Sequence, residues 1–234
     1  MQRSGGYTRD KMGGTPVRIV FARHGETFFN VEGRWQGQSD SPLTERGLAQ
    51  ARELARALRD ESLAAVYSSD LGRAARTADE VARPHGLEIT TDVRLREIDV
   101  GDWTGLNRSQ IEVFDAEGIH TWATRPASMR LPNGETLAEA EHRALAFFSE
   151  ALPPHAGQTV AVVTHGAIGQ AILVAAMGLT VEDLWLKERL DNCQISRLEW
   201  TPARGLHLIE LSDVRHLQDV GSLRSWRTTD RDVA

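Results

Sequence analysis

The chain has 234 residues, 41% hydrophobic and 26% charged, with a formal net charge of −6 from 27 Lys and Arg against 33 Asp and Glu. These values suit one soluble domain with a substantial core and argue against bulk binding to nucleic acid or an anionic membrane, both of which favour basic surfaces. A single cysteine, Cys193, excludes intrachain disulfides and Cys-rich zinc sites; no apolar run approaches the roughly 18 residues of a membrane span; and no apolar stretch follows Arg3, Arg9 and Lys11, so a reducing, cytoplasmic setting is expected.

Residues 1–16 are polar and glycine-rich, and are expected to form a disordered leader. Residues 17–22 (V-R-I-V-F-A) read as a buried strand that runs into Arg23, His24 and Gly25. Thr44 is a good N-cap for a helix over 45–58, where Leu48, Ala51, Leu54, Ala55 and Leu58 form one apolar face. A second strand is expected over 64–67, a helix over 72–83 and a short strand over 87–90. Residues 96–134 are irregular, rich in Gly and Pro, with one short helix near 108–116; they are the expected cap over a site. A long helix follows to about 152, then the clearest buried strand at 159–164 (T-V-A-V-V-T), His165-Gly166 and a helix over 167–177. Two last strands are expected at 195–200 and 206–211, and 221–234 is a polar tail expected to be mobile.

Strands alternating with helices imply an α/β fold with a largely parallel sheet, in which ligands bind beyond the carboxyl ends of the strands. Three strands end in polar clusters, Arg23-His24, Ser68 to Arg73, and His165-Gly166, and right-handed crossovers would bring those ends together.

The residue types at these ends point to anion chemistry. Neutral imidazole is nucleophilic near pH 7, and the guanidinium of Arg23 beside His24 matches two phosphate oxygens at once. His165 precedes a helix N-terminus, whose N–H groups and dipole favour an anion. Arg73 opposes the dipole at the start of its own helix, a placement that a phosphate partner would justify. A carboxyl near such a site can protonate a leaving alkoxide and later deprotonate water, and Glu97, Asp99 and Asp102 are equal candidates by spacing. Neither histidine lies in a metal-ligand motif, and no metal or other cofactor is expected.

Arg23-His24-Gly25-Glu26-Thr27 resembles the R-H-G-[EQ]-[ST] signature of the histidine phosphatase superfamily, also called the phosphoglycerate mutase-like family. The resemblance continues through Asn30, Gln36-Gly37, Asp40, Leu43-Thr44, Gly47, the block from Ser68 to Ala74 with Thr77, the block from Leu95 to Gly105, Gly134-Glu135-Thr136 and Thr164-His165-Gly166. It implies a three-layer α/β/α sandwich around a mostly parallel six-stranded sheet with an antiparallel edge strand, within a catalytic domain over 17–220. It implies His24 as the nucleophile, Glu97 as proton donor, Arg23, Arg73 and His165 as holders of the phosphoryl oxygens, and Asn30, Gln36, Gly166 and Arg108 as further substrate contacts. Dimers are common in this family, but no interface is legible.

Residues 95–103 and 191–196 resemble the broad-specificity phosphatase branch, whereas Gly105-Leu106-Asn107-Arg108 resembles the G-L-N-K of the 2,3-bisphosphoglycerate-dependent mutases. The expected function is metal-independent hydrolysis of a small-molecule phosphomonoester through a phosphohistidine. The alternatives are a phosphoglycerate mutase and a catalytically silent phosphate-binding relative. Phe28, Phe29, Trp35, Trp103 and Trp122 are candidate walls for an apolar or planar leaving group.

Overall fold

The computed structural model describes residues 14–180 and 190–221. The expected leader therefore lies outside the described residues up to 13, and so does the expected tail from 222 onward.

Six strands form one sheet in the order β3-β2-β4-β1-β5-β6: β1 Val17–Arg23, β2 Leu63–Ser68, β3 Ile89–Thr91, β4 Thr159–Thr164, β5 Ile195–Thr201 and β6 Gly205–Asp213. The four strands from β3 to β1 run parallel. β5 pairs antiparallel with β1 and with β6, so the antiparallel strand lies one place inside the sheet and not at its edge as expected. The β5–β6 hairpin explains the difference: its short return at Thr201 to Gly205 reverses the chain again, and the edge strand regains the common direction. The third strand is shorter and later than expected, because pairing with Val66 to Ser68 begins only at Ile89.

The central strands read as continuous apolar runs because both faces are covered. Val17, Ile19, Phe21, Val160 and Val162 face one core with helices α6 (Leu137–Ala151) and α7 (Gly166–Ala176). Val20, Ala22, Ala161 and Val163 face another with helices α2 (Glu45–Leu58) and α3 (Gly72–Ala82). The result is the expected three-layer arrangement.

Three shorter α-helices accompany these among the described residues: α1 Phe28–Val31, α4 Arg108–Phe114 and α5 Ala116–Thr124. Neither α1 nor α5 was expected. Each is too short to show a helical period, and each is set by a side-chain cap instead: Thr27 with Asn30 in a capping box on α1, and Asp115 accepting from the Gly118 N–H on α5. Residues 101–124 are thus more ordered than the irregular segment expected there. Their Trp103, Ile111, Ile119 and Trp122 enter the same core as α6 and α7.

The glycine of the Arg23-His24-Gly25 run has a packing cause. The loop after β1 crosses the first turn of α2 so closely that a Cβ on Gly25 would strike the Gly47 carbonyl, and one on Gly47 would strike the Glu26 carbonyl. Gln50 and Thr44 of α2 also hold Glu26, through its N–H at 3.0 Å and its Oε1 at 2.8 Å. Gly47→Ala should therefore lower stability by about 1–3 kcal/mol, the usual cost of overpacking. Denaturant midpoints check this; an unchanged midpoint would show that the contact yields freely.

Candidate active site

The pairing register brings the three polar strand ends together. Arg23 of β1 lies opposite Thr164 of β4, Ser68 of β2 lies opposite Val163, and the His24 N–H donates to the Thr164 carbonyl at 2.9 Å. His24 and His165 leave adjacent strands and meet edge-on, ring centroids 5.2 Å apart at 60°. Arg73 reaches them from the start of α3.

His24 is 2% exposed, and its Nδ1 lies 2.7 Å from the Gly25 carbonyl. A carbonyl only accepts, so Nδ1 carries the proton and Nε2 keeps its lone pair. Arg73 Nε donates to that Nε2 at 3.3 Å. Burial, then the charges of Arg73 and Arg23, hold His24 well below the ordinary histidine pKa of 6.5. His165 is held well below it as well, by burial first and then by Arg73. Burial and the neighbouring guanidinium charges thus disfavour the protonated form of both imidazoles.

Arg73 is itself 2% exposed. Its guanidinium donates to the Ser39 carbonyl at 2.7 Å, the Gly37 carbonyl at 2.8 Å and the Asp40 carboxylate at 3.2 Å. Asp40 also accepts the Arg73 backbone N–H at the helix start, so it offsets the unfavourable dipole that sequence reasoning assigned to a phosphate partner. Arg23 donates to the Leu190 carbonyl at 2.5 Å.

Glu97 is held by α7. Its Oε1 accepts from the N–H groups of Ile98 at 3.0 Å and Ile168 at 2.9 Å, and its Oε2 accepts from Ala167 at 3.0 Å. A carboxylate oxygen has two lone pairs, so Oε1 is saturated and Oε2 has one position left. Gly166 lies against that oxygen: a Cβ there would stand 3.7 Å from Oε2 and 3.5 Å from Arg23 Cζ. Asp99 accepts from the Gly101 N–H and Asp102 from Asn133, and neither lines the cavity. Position thus distinguishes three carboxylates that spacing left equal.

A cavity of about 490 Å³ opens over these groups. Of the residues named from sequence, Arg23, His24, Asn30, Gln36, Arg73, Glu97, Arg108 and Gly166 line it. His165 does not; it is fully buried behind them, and neither of its ring nitrogens has a hydrogen-bond partner among the described residues. Arg108 stands at the rim, largely exposed and paired with Glu112 at 2.9 Å. Trp35 and Trp122 form part of the wall with Ile119 and Ala123. Trp103 is fully buried behind them, in T-shaped contact with Trp35, and neither Phe28 nor Phe29 reaches the cavity.

Sequence reasoning missed Arg34, Gln170 and Asn192. Arg34 and Gln170 line the cavity. Asn192 donates to the His24 carbonyl at 2.9 Å and to Asn30 Oδ1 at 3.3 Å, and so fixes the turn that carries His24. The signal for Arg34 was present: Gly33 and Gly37, both at positive φ, bracket a tight loop that includes Gln36. Asn192 lies in the block 191–196, which the sequence marks only by its likeness to the phosphatase branch; its contact with His24 arises because the next strand, β5, pairs with β1. Among the described residues no group of three His, Cys, Asp or Glu side chains converges as a metal site, and no helix is long and apolar enough to cross a membrane.

The sequence profile described as Histidine phosphatase superfamily (branch 1) matches residues 19–212. The chain belongs to that superfamily. Within it, the chain is 33% identical over 201 residues to Phosphoserine phosphatase 1 of Hydrogenobacter thermophilus, covering 86% of this chain and 94% of that one. It is 36% identical over 211 residues to the probable phosphoglycerate mutase GpmB of Salmonella choleraesuis, covering 86% and 95%. The structure of Bacillus stearothermophilus YhfR superposes with a TM-score of 0.81 at 33% identity, covering 86% of this chain and all of that one. The superfamily member described here therefore shares its fold and its whole domain with relatives of both names.

The neutral histidines carry a pH signature. Unfolded, each takes up a proton near pH 6.5; folded, each stays neutral to well below that value. The unfolded state then binds more protons, so stability is full above about pH 6.5 and is lost as pH falls toward the folded values. Melting temperatures of the parent should decline between about pH 7.5 and about pH 5.5, and those of His165→Gln should decline less steeply. Equal slopes would mean that His165 is protonated in the folded protein.

Proposed function

We propose that this chain is a phosphomonoesterase that works through a phosphohistidine on His24. The observation that carries the reading is the His24 ring, on a side chain that lines the cavity: Nδ1–H is committed to Gly25, and Nε2 keeps an unprotonated lone pair whose long contact from Arg73 Nε–H would pass to a phosphoryl oxygen when substrate binds. In the first half-reaction Nε2 forms a bond to phosphorus as the bond to the leaving oxygen breaks, and Glu97 gives that oxygen a proton from Oε2. In the second, a water oxygen bonds to phosphorus, Glu97 takes the water proton, and the N–P electron pair returns to Nε2. The products are an alcohol and inorganic phosphate.

Arg73 and Arg23 supply the charge that phosphoryl transfer requires around the equatorial oxygens. His165 lies just behind the lining residues, edge-on to His24 and with no ring partner among the described residues, so its one N–H would be free for one of those oxygens. Gly166 keeps the space between Arg23 and Glu97 open. Asn30, Gln36 and Arg108 lie along the wall, where the rest of the substrate would contact them. Water as the acceptor is supported by the likeness of residues 95–103 to the phosphatase branch and by the phosphoserine phosphatase relative. The reading includes a cytoplasmic site of action and no requirement for a metal; the single, buried cysteine supports the former.

Purified protein should release phosphate from p-nitrophenyl phosphate in the presence of EDTA, and His24→Ala should lose on the order of 10³-fold or more, as nucleophile removal does elsewhere. Loss of activity in EDTA would remove metal independence. Isomerisation of 3-phosphoglycerate without release, in the presence of 2,3-bisphosphoglycerate, would make the chain a mutase.

Glu97→Gln should divide substrates by leaving group. Its kcat/KM should fall about 10²-fold or more for an alkyl phosphate such as glycerol phosphate, and far less for p-nitrophenyl phosphate, whose leaving group needs no proton. Equal losses would deny Glu97 the acid role.

A further inference from the structure

We infer that Arg143, anchored by Glu135, is a positioning residue that sets the Glu97 carboxyl against the N-terminus of α7. The inference rests on the acid role proposed for Glu97, and it concerns two residues that do not line the cavity.

Arg143 extends from α6 beneath the segment that carries Glu97. Its Nη1 donates to the carbonyls of Arg94 and Arg96, each at 2.7 Å. Its Nη2 donates to the Glu97 carbonyl at 3.0 Å and to Glu135 Oε2 at 2.9 Å, and its Nε donates to Glu135 Oε1 at 2.9 Å. A guanidinium has five N–H bonds in a fixed fork, and here all five are spent on this segment and on one carboxylate. Glu135 continues the brace: its Oε2 accepts the Asp99 N–H at 2.9 Å, and its own N–H donates to the Asp99 carbonyl at 2.9 Å. The backbone on both sides of Glu97 is therefore pinned, by Arg143 at 94, 96 and 97 and by Glu135 at 99.

The other end of the Glu97 side chain is fixed by the N–H groups of Ala167 and Ile168. Those two bonds need the Glu97 backbone at one distance from α7, and α6, which packs on α7, is the element that supplies the Arg143 reference point. Side chain and backbone of Glu97 are thus tied to two packed helices. A misplacement of about 1 Å is enough to cost an acid much of its effect. Lysine cannot replace the fork, because a single ammonium reaches neither three carbonyls nor both oxygens of Glu135.

The test uses full-length Arg143→Ala, Arg143→Lys and Glu135→Gln beside Glu97→Gln, each assayed below its own melting temperature. The readout is kcat/KM for glycerol phosphate against p-nitrophenyl phosphate. Arg143→Ala should lose about 10–100-fold on glycerol phosphate and less than about threefold on p-nitrophenyl phosphate, a part of the ~10²–10⁴ that a positioned acid contributes. Arg143→Lys and Glu135→Gln should show the same selectivity to a smaller degree, and they keep the inference testable where Arg143→Ala does not fold. Equal losses on both substrates, or lowered melting temperature with unchanged selectivity, would reduce the brace to a structural role and overturn the inference while Glu97→Gln remains selective. Unselective loss in Glu97→Gln itself would overturn the acid role and this inference with it.

Discussion

The site depends on a guanidinium that is buried before any substrate arrives. Removing the charge of Arg73 from water costs several kcal/mol unless its protons find acceptors. The protein provides them from one loop, the carbonyls of Gly37 and Ser39 and the carboxylate of Asp40. Arg73 is then fixed with Nε directed at His24. From this placement the other features follow. Burial first, and then that positive charge, disfavour protonation of both imidazoles, and the Gly25 carbonyl selects the His24 tautomer whose Nε2 accepts from Arg73. His165 is left with two buried ring nitrogens that nothing among the described residues satisfies, and a bound anion, which only accepts, would offset the cost of about 1–3 kcal/mol at the one that carries the proton. Preorganisation of this kind concentrates unfavourable burial where a dianion would relieve it.

The sheet supplies the precision. β1, β2 and β4 are adjacent and parallel, so their carboxyl ends form one row, and the register sets His24 and His165 on neighbouring strands. Both faces of these strands are closed by helices, which leaves the end of the sheet as the place where polar groups can lie open to a ligand. α7 adds its first N–H groups, which are occupied by Glu97 and not by the anion that sequence reasoning placed there. The helix dipole thus holds the carboxylate that would handle protons, while the cationic side chains remain for the phosphoryl oxygens.

Strand ends and their histidines were legible because they depend on local pattern: apolar runs of strand length that stop at polar residues. The capped helix over 45–58 was legible for the same reason, and its limits match Glu45–Leu58. Much of the rest depends on contacts made across the fold. The reach of Arg73 to residues 37–40, of Asn192 to His24 and of Arg143 to residues 94–97 spans more than thirty residues in each case, and no spacing rule records it. The short helices α1 and α5 were hidden because caps, not periodicity, define them. Among Glu97, Asp99 and Asp102 spacing left the choice open and the family resemblance pointed to Glu97, which alone of the three lines the cavity and is held by the N–H groups of α7.

The division between floor and wall bears on why relatives named as a phosphatase and as a probable mutase lie at similar distances from this chain. The floor is built from strand ends and from the buried Arg73, whose contacts with His24 and residues 37–40 tie it together. The wall is built elsewhere, from residues 30–37 and from the segment bearing α4 and α5, with Trp35 and Trp122 packed on the buried Trp103. Arg34 ties the two parts of that wall by donating to the Gly105 carbonyl at 2.6 Å. On the proposed reading, a change there would alter what lies beside the phosphoryl group, water or a second hydroxyl, while the contacts that hold His24, Arg73 and Glu97 stay in place. Resemblance over most of the chain is therefore expected to report the chemistry of the floor more faithfully than the identity of the acceptor, which the wall would select.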